Sequence, residues 1–74
     1  MEILIKLYGV FRIGRFTEAP LDFPSGSNVQ VVVDSLELSP DLLGIVLING
    51  IHADVERVLE SGDTLSLLPV LDGG

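Results

Sequence analysis

Apolar side chains recur at every second position in two segments of the chain, one near each end. In residues 2–8, Ile3, Ile5 and Leu7 fall on one side of an extended backbone, and residues 64–68 alternate in the same way. A period of two residues is the pattern of a strand with one buried face. We therefore predict a first strand over about residues 2–8 and a last strand that ends at the proline after residue 68.

A second strand is predicted after the glycine-bounded segment 9–14. Thr17, Ala19, Leu21 and Phe23 alternate with Glu18, Pro20 and Asp22. Pro20 lies inside this pattern and cannot donate a backbone hydrogen bond. The strand is therefore expected at an edge of the sheet.

The next segment predicts one helix. Ser27 followed by Gln30 forms a possible capping box, and the Ser39-Pro40 pair would stop the helix. The apolar positions follow helical spacing and form a single stripe: Val29, Val32, Val33 and Leu36. A strand with Val29, Val31 and Val33 on one face has the better β-propensity. We favour the helix, because the cap and Leu36 fit only that interpretation.

The second half of the chain predicts three more strands. Gly44–Ile48 is a continuous apolar run, typical of a strand buried between neighbours, and Asn49-Gly50 is a strong tight-turn pair. Residues 57–59 resemble a short strand, and residues 60–63 a turn before the last strand. The predicted order is ββαβββ, an α+β fold with one helix packed on a mixed sheet.

Size and cysteine content limit how such a chain is stabilised. Its 74 residues allow only a single domain spanning 1–74, and it has no cysteine. Neither disulfides nor thiolate-held metals can support the core, so burial of apolar side chains must stabilise it. The first residues lack the basic region of a signal peptide, and no apolar run is long enough for a membrane span. We expect a cytoplasmic protein that does not bind membranes and is a monomer when free.

The charge is acidic and unevenly distributed. The net charge is −7, with nine acidic residues and only Arg57 as a base after residue 20. This sign repels nucleic-acid phosphates. It suggests instead a protein partner with a basic surface.

The sequence offers no convincing catalytic or cofactor site. His52 is the only histidine and lies beside a turn, with Asp54 and Glu56 nearby. Such a local group is usually solvated, as are Arg12 and Arg15, which flank a predicted hairpin turn. No glycine-rich phosphate loop precedes a helix. We therefore expect no catalytic residue, metal or cofactor, and a protein that is not itself an enzyme.

The most informative feature is the terminal pair Gly73-Gly74. It ends a tail of about residues 70–74, which we expect to be flexible. From Pro69 the chain can reach roughly 17 Å, and glycine lets the backbone pass where a Cβ would collide. ATP can activate a terminal carboxylate in such a position and pass it to a sulfur or amine nucleophile. The other interpretation is an inert, frayed terminus.

The chain resembles the ubiquitin-like sulfur carriers, namely the small subunit of molybdopterin synthase and the thiamine-biosynthesis sulfur carrier. The segments that carry the resemblance are Ile45–Gly50, Leu59–Pro69 and Gly73-Gly74. The resemblance implies the β-grasp fold. It also implies that Gly74 is adenylated and converted to a thiocarboxylate, with Gly73 giving clearance for the tail.

Some positions depart from the molybdopterin branch of that family. Val70 and Asp72 stand where a second proline and a small residue are common, and Gly9–Arg15 is too short for the helical segment that often follows the first strand. The long second strand is unlike the thiamine carriers. We favour the molybdopterin-like branch.

The resemblance also implies partners and a docking surface. The partners would be an ATP-dependent enzyme of the ubiquitin-activating type and a sulfur-accepting synthase, either the molybdopterin synthase large subunit or thiazole synthase. Apolar residues expected on the sheet face away from the helix form the predicted docking patch: Leu4, Tyr8, Leu68 and Val70. Two other functions share the same residues. One is a protein modifier joined through Gly74 to lysines, and the other is a plain β-grasp interaction domain.

Overall fold

The computed structural model describes residues 1–70, so Leu71 and the residues after it lie outside the described part. The strands are β1 Glu2–Leu7, β2 Glu18–Asp22, β3 Leu43–Ile48, β4 Ile51–His52 and β5 Thr64–Pro69. The α-helix α1 is Val29–Ser35, and two short 3₁₀ helices span Gly9–Arg12 and Pro40–Leu42. The order ββαβββ is confirmed.

The five strands form one mixed sheet in the order β2-β1-β5-β3-β4. β1 and β5 are parallel neighbours, and the other pairs are antiparallel. β2 lies at an edge, as Pro20 predicts, because a residue without an N–H fits best where one side of the strand has no partner. The last strand of the chain thus lies in the middle of the sheet, between β1 and β3.

α1 packs on one face of this sheet, here called the inner face. Val29, Val32 and Val33 are at most 1 % exposed, whereas Val31 is 40 % exposed. That pattern confirms the helix and excludes the alternative strand. The sheet residues of the same core cluster include Ile3, Ile5, Leu7, Val46, Ile48, Leu65 and Leu67. The inward-facing positions predicted on the first and last strands are therefore buried.

The helix begins one residue later than predicted. Asn28 is the N-cap, and its side-chain oxygen accepts a hydrogen bond from the Val31 N–H at 3.0 Å. Ser27 instead donates its hydroxyl to the Pro24 carbonyl at 2.7 Å. The capping box prediction is wrong because Asn28, an equally good cap, stands next in the chain and is the residue at which it turns.

The position predicted for the fourth strand is also wrong. Residues 57–59 form no strand, and Val58 makes only an isolated bridge with Asn28 at the start of α1. The strand after β3 is Ile51–His52, which follows directly on the Asn49-Gly50 turn and pairs back on β3. Both turn residues have a positive φ, 53° and 82°, which is the geometry expected of a two-residue hairpin turn.

The segment after β1 is helical, contrary to the expectation that Gly9–Arg15 is too short. Residues Gly9–Arg12 form a 3₁₀ helix that places Phe11, 2 % exposed, in the core. One buried aromatic side chain is enough to hold a single turn here. Within residues 1–70, no helix has the length and apolar character needed to cross a membrane.

Candidate functional site

The sheet face opposite α1, here called the outer face, carries the predicted docking residues. Leu4 and Leu68 are half-buried, while Tyr8 and Val70 are 42 % and 49 % exposed. Side chains alternate between faces along a strand. Because Leu67 and Val46 point into the core, Leu68 and its cross-strand partner Ile45 lie on the outer face.

Three of the predicted residues meet at one end of this face. Leu7 pairs with Leu67 in the parallel β1–β5 ladder, so Tyr8 comes level with Leu68. Val70 follows the end of β5, and its N–H donates to the Leu42 carbonyl at 2.6 Å. Tyr8, Leu68 and Val70 therefore surround the point at which the chain leaves the sheet.

Leu4 lies apart from these three residues. It pairs with Thr64 and Pro20, four residues before Tyr8 along β1, or roughly 13 Å at about 3.3 Å per residue. Lys6 and Ser66 separate the two apolar regions on neighbouring strands. The predicted patch is therefore two patches, and the one at the exit of the chain is the larger.

Sequence reasoning missed two apolar residues of the outer face. Ile45, 40 % exposed, lies directly opposite Leu68, and the half-buried Leu47 lies opposite Ser66. They belong to the run Gly44–Ile48, whose continuous apolar pattern shows no alternation between the two faces. α1 covers only one face, so Val46 and Ile48 are buried and the alternate residues are not. We define the exit patch as Tyr8, Ile45, Leu47, Leu68 and Val70.

The motif segments behind the predicted resemblance meet in space. The Asn49 amide donates to an Asp63 carboxylate oxygen at 3.0 Å and accepts from the Thr64 N–H at 2.9 Å. The Asn49 N–H also donates to the Thr64 carbonyl at 2.8 Å. These bonds tie the turn after β3 to the start of β5. The Asn-Gly and Gly-Asp motifs thus position β5, and with it the exit patch.

The other charged candidates have local roles. Arg15 donates to the carbonyls of Phe11, Leu36 and Glu37 at 3.3, 3.0 and 3.2 Å, which ties the first 3₁₀ helix to the end of α1. Arg12 and Arg15 flank the Ile13-Gly14 turn in the connection between the antiparallel strands β1 and β2, and the donors of Arg15 are used within the fold. Arg12 donates from Nε to the Gly9 carbonyl at 3.5 Å.

The acidic and histidine group near β4 does not form a metal site in the described residues. His52 lies exposed on β4, and Asp54 accepts a hydrogen bond from the Glu56 N–H at 3.0 Å. No cluster of three or more histidine, cysteine or acidic side chains placed to hold a metal ion occurs within residues 1–70. Gly73 and Gly74, the predicted chemical site, lie outside the described residues.

Solved structures of known proteins share this fold over nearly the whole chain. SAMP1, a small archaeal modifier protein from Haloferax volcanii, covers 100 % of both chains at 22 % identity, with a TM-score of 0.75. A putative molybdopterin converting factor subunit 1 from Pyrococcus furiosus covers 93 % of this chain and 97 % of its own at 18 % identity, with a TM-score of 0.77.

A third neighbour is a complex. The protein-protein complex of subunits 1 and 2 of the molybdopterin-converting factor from Helicobacter pylori 26695 matches with a TM-score of 0.68. The identity is 17 %, and the match covers 100 % of both chains. No family model matches the sequence, and a comparison with curated proteins gives no match. The predicted β-grasp fold, with one helix on a mixed five-stranded sheet, is therefore confirmed.

Proposed function

We propose that the protein is a ubiquitin-like sulfur carrier whose Gly74 carboxylate is the chemical group. An activating enzyme would catalyse attack of a carboxylate oxygen on the α-phosphorus of ATP, releasing pyrophosphate and leaving an acyl-adenylate. The terminal sulfur of a persulfide donor would then attack the carbonyl carbon and displace AMP, and a thiol such as cysteine would reduce the resulting acyl disulfide to leave a thiocarboxylate. The protein is thus a substrate of its partner enzymes and supplies no catalytic residue.

The observation that carries this proposal is the place where the chain leaves the sheet. β5 runs through the middle of the sheet, and Val70 leaves it beside the exit patch. Only four residues follow, and the last two are glycine. A partner that binds the exit patch therefore receives a narrow tail with a carboxylate at its end.

The partner on the exit patch is proposed to be a synthase subunit or an activating enzyme. One structural neighbour is a complex of subunits 1 and 2 of the molybdopterin-converting factor, which supports a synthase large subunit and the molybdopterin-like branch. Exposed Ile45, Tyr8 and Val70 give this end of the sheet an apolar centre, and such centres dominate interface energies. Acidic residues elsewhere in the chain favour a partner with a basic rim.

A second function is favoured by a different neighbour. SAMP1 is a modifier and covers the whole chain. In that function the acyl group would pass to a lysine amine and form an isopeptide bond through Gly74. The two functions share activation and differ only in the nucleophile.

Intact-mass spectrometry tests the proposal directly. The protein is incubated with the activating enzyme of its own organism, ATP and a cysteine desulfurase with cysteine as the sulfur source. We expect a species heavier by the replacement of one oxygen with sulfur. Isopeptide-linked conjugates without that species would establish the modifier function instead, and an unchanged mass would overturn both.

Two tail variants serve as controls for this experiment. Deletion of Gly74 leaves the terminal carboxylate about 3.3–3.6 Å short, so activation should be lost. Gly73→Val adds a branched side chain where the tail passes through the partner and should lower adenylation more than binding. Both variants should unfold at the same temperature as the parent chain. Equal activation of the Gly74 deletion would contradict the carrier function.

A further inference from the structure

The end of β5 passes between two glycines that have no room for a side chain. Gly9 follows β1 on one flank, and a Cβ there would lie 2.9 Å from Cγ of Pro69. Gly44 lies in β3 on the other flank, and a Cβ there would lie 2.9 Å from both N and Cα of Val70. Real Cβ atoms essentially never come that close to another heavy atom. Glycine is therefore required on both flanks of the Pro69-Val70 segment.

A β-bulge lies at the same point. Leu43 pairs with Pro69 and Ile45 pairs with Leu68, which leaves Gly44 as the extra residue of β3. A bulge bends its strand and increases the local twist. Together with the Val70–Leu42 hydrogen bond, it sets the path of the chain as β5 ends.

The close approach is specific to this end of the sheet. Gly14, Gly26, Gly50 and Gly62 also adopt positive φ, but a Cβ at any of them would meet nothing within 4 Å. Turn geometry alone explains those four glycines. It does not explain Gly44, which has no positive φ and is limited by the backbone of Pro69 and Val70.

We propose that Gly9 and Gly44 are positioning residues that fix the direction in which the chain leaves the sheet. This inference rests on the proposed function, since the tail whose direction is fixed carries the Gly74 carboxylate. The four residues after Val70 can span about 13–14 Å, so the direction of the backbone at Val70 limits the region that the carboxylate can reach. A misplacement of about 1 Å can cost about a hundredfold in rate.

The first experiment needs no partner. Hydrogen exchange of individual amides is followed by NMR in the full chain and in Gly44→Ala. A Cβ at residue 44 must push the Val70 backbone away, so the Val70 amide should exchange at least about tenfold faster as its bond to Leu42 weakens. The Leu65 and Leu67 amides should be unchanged. Unchanged exchange at Val70 would overturn the inference, whether or not the protein is a carrier.

The second experiment measures adenylation of the chain by ATP–pyrophosphate exchange. Gly9→Ala is compared with Gly14→Ala, a matched control with similar φ, +54° against +71°, but no contact at its Cβ. We expect Gly9→Ala and Gly44→Ala to lower kcat by about tenfold or more with KM nearly unchanged. The docking surface is intact in both variants, whereas the direction in which the chain leaves the sheet is changed. Gly14→Ala should match the parent chain.

A double variant distinguishes a change in the direction of the tail from a loss of folding. Pro69→Ala removes the ring atom that a side chain at residue 9 would meet, so Gly9→Ala in that background should have no more effect on kcat than Gly14→Ala. Equal kcat for all three single variants, with an active parent chain, would overturn the inference and leave the carrier function standing. A rise in KM alone would also overturn it, because that result would assign the glycines to docking.

Discussion

The two faces of the sheet carry apolar side chains at similar spacing, yet only one face is buried. On the inner face Leu65 and Leu67 are fully buried beneath α1, whereas on the outer face Leu68 is half-buried and Ile45 is 40 % exposed. Burial of apolar area stabilises the fold roughly in proportion to the area removed from water. The inner leucines therefore contribute mainly to folding, and the outer residues leave part of their apolar area available to a partner.

The difference between the faces also separates stability from function along a single strand. Leu67 and Leu68 are adjacent in β5, and their side chains point in opposite directions because strand side chains alternate. A change at one should therefore affect folding, and a change at the other should affect binding. The predictions below test this separation.

The largest expected effect is a loss of stability when Leu67 is truncated. Leu67→Ala removes a side chain that is 0 % exposed and should lower the free energy of unfolding by about 2–5 kcal/mol. Leu68→Ala should lower it by about 1 kcal/mol, because water already reaches part of that side chain. Urea denaturation followed by circular dichroism measures both. If the losses were equal, the two faces would contribute equally to folding and the separation would be wrong.

The second effect concerns binding at the exit patch. Leu68→Glu and Ile45→Glu place a charge in the centre of the proposed interface and should weaken binding of a synthase large subunit by at least about tenfold, or about 1.4 kcal/mol. The stability of either variant should change by no more than about 1 kcal/mol. Isothermal titration calorimetry measures the affinity.

Leu4→Glu is the matched control for that experiment. It makes the same change on the same face, at a half-buried position roughly 13 Å from Tyr8 along β1. We expect a smaller loss of affinity than for Leu68→Glu. Unchanged affinity in both exit-patch variants would remove the patch as a docking surface.

The predictions from sequence succeeded where one pattern determined the structure. The alternation around Ile5 and Leu67 was sufficient for β1 and β5 and for the direction of their side chains, and Pro20 was sufficient for the edge. These features depend only on local chemistry and on the requirement that one face be buried. The terminal Gly-Gly was visible in the same way, although it lies outside the described residues.

The errors occurred where an element is too short to show a pattern or where contacts distant in sequence decide the structure. Ile51–His52 is too short to show a period of two residues. Val58 forms an isolated bridge with Asn28 and is not part of a strand. The Gly9–Arg12 turn forms because Phe11 enters the core. The contacts of Val58 and Phe11 are far away along the chain, so no local pattern could reveal them.

The same limit applies to the candidate site. Leu68 could be assigned to the outer face from alternation, but Ile45 was hidden in a continuous apolar run. Its exposure depends on α1 covering one face only. The contacts of Gly9 with Pro69 and of Gly44 with Val70 require the finished sheet, so sequence alone could not have identified these glycines.

The last prediction concerns the rate of association. Charge attraction acts mainly on the encounter between partners, and raising the ionic strength from about 0.1 to about 1 M shortens the Debye length from about 10 to about 3 Å. Association measured by stopped-flow fluorescence should slow by about tenfold over this range, with little change in dissociation.

Two variants with equal charge changes locate the effect. Asp41→Asn is next to Leu42 at the exit end, whereas Asp22→Asn lies opposite Glu2 at the other end of the sheet. Asp41→Asn should slow association more, because the basic surface of the partner is expected to meet the exit end. Equal slowing by both variants would show that only net charge matters and that the encounter has no preferred end of the sheet.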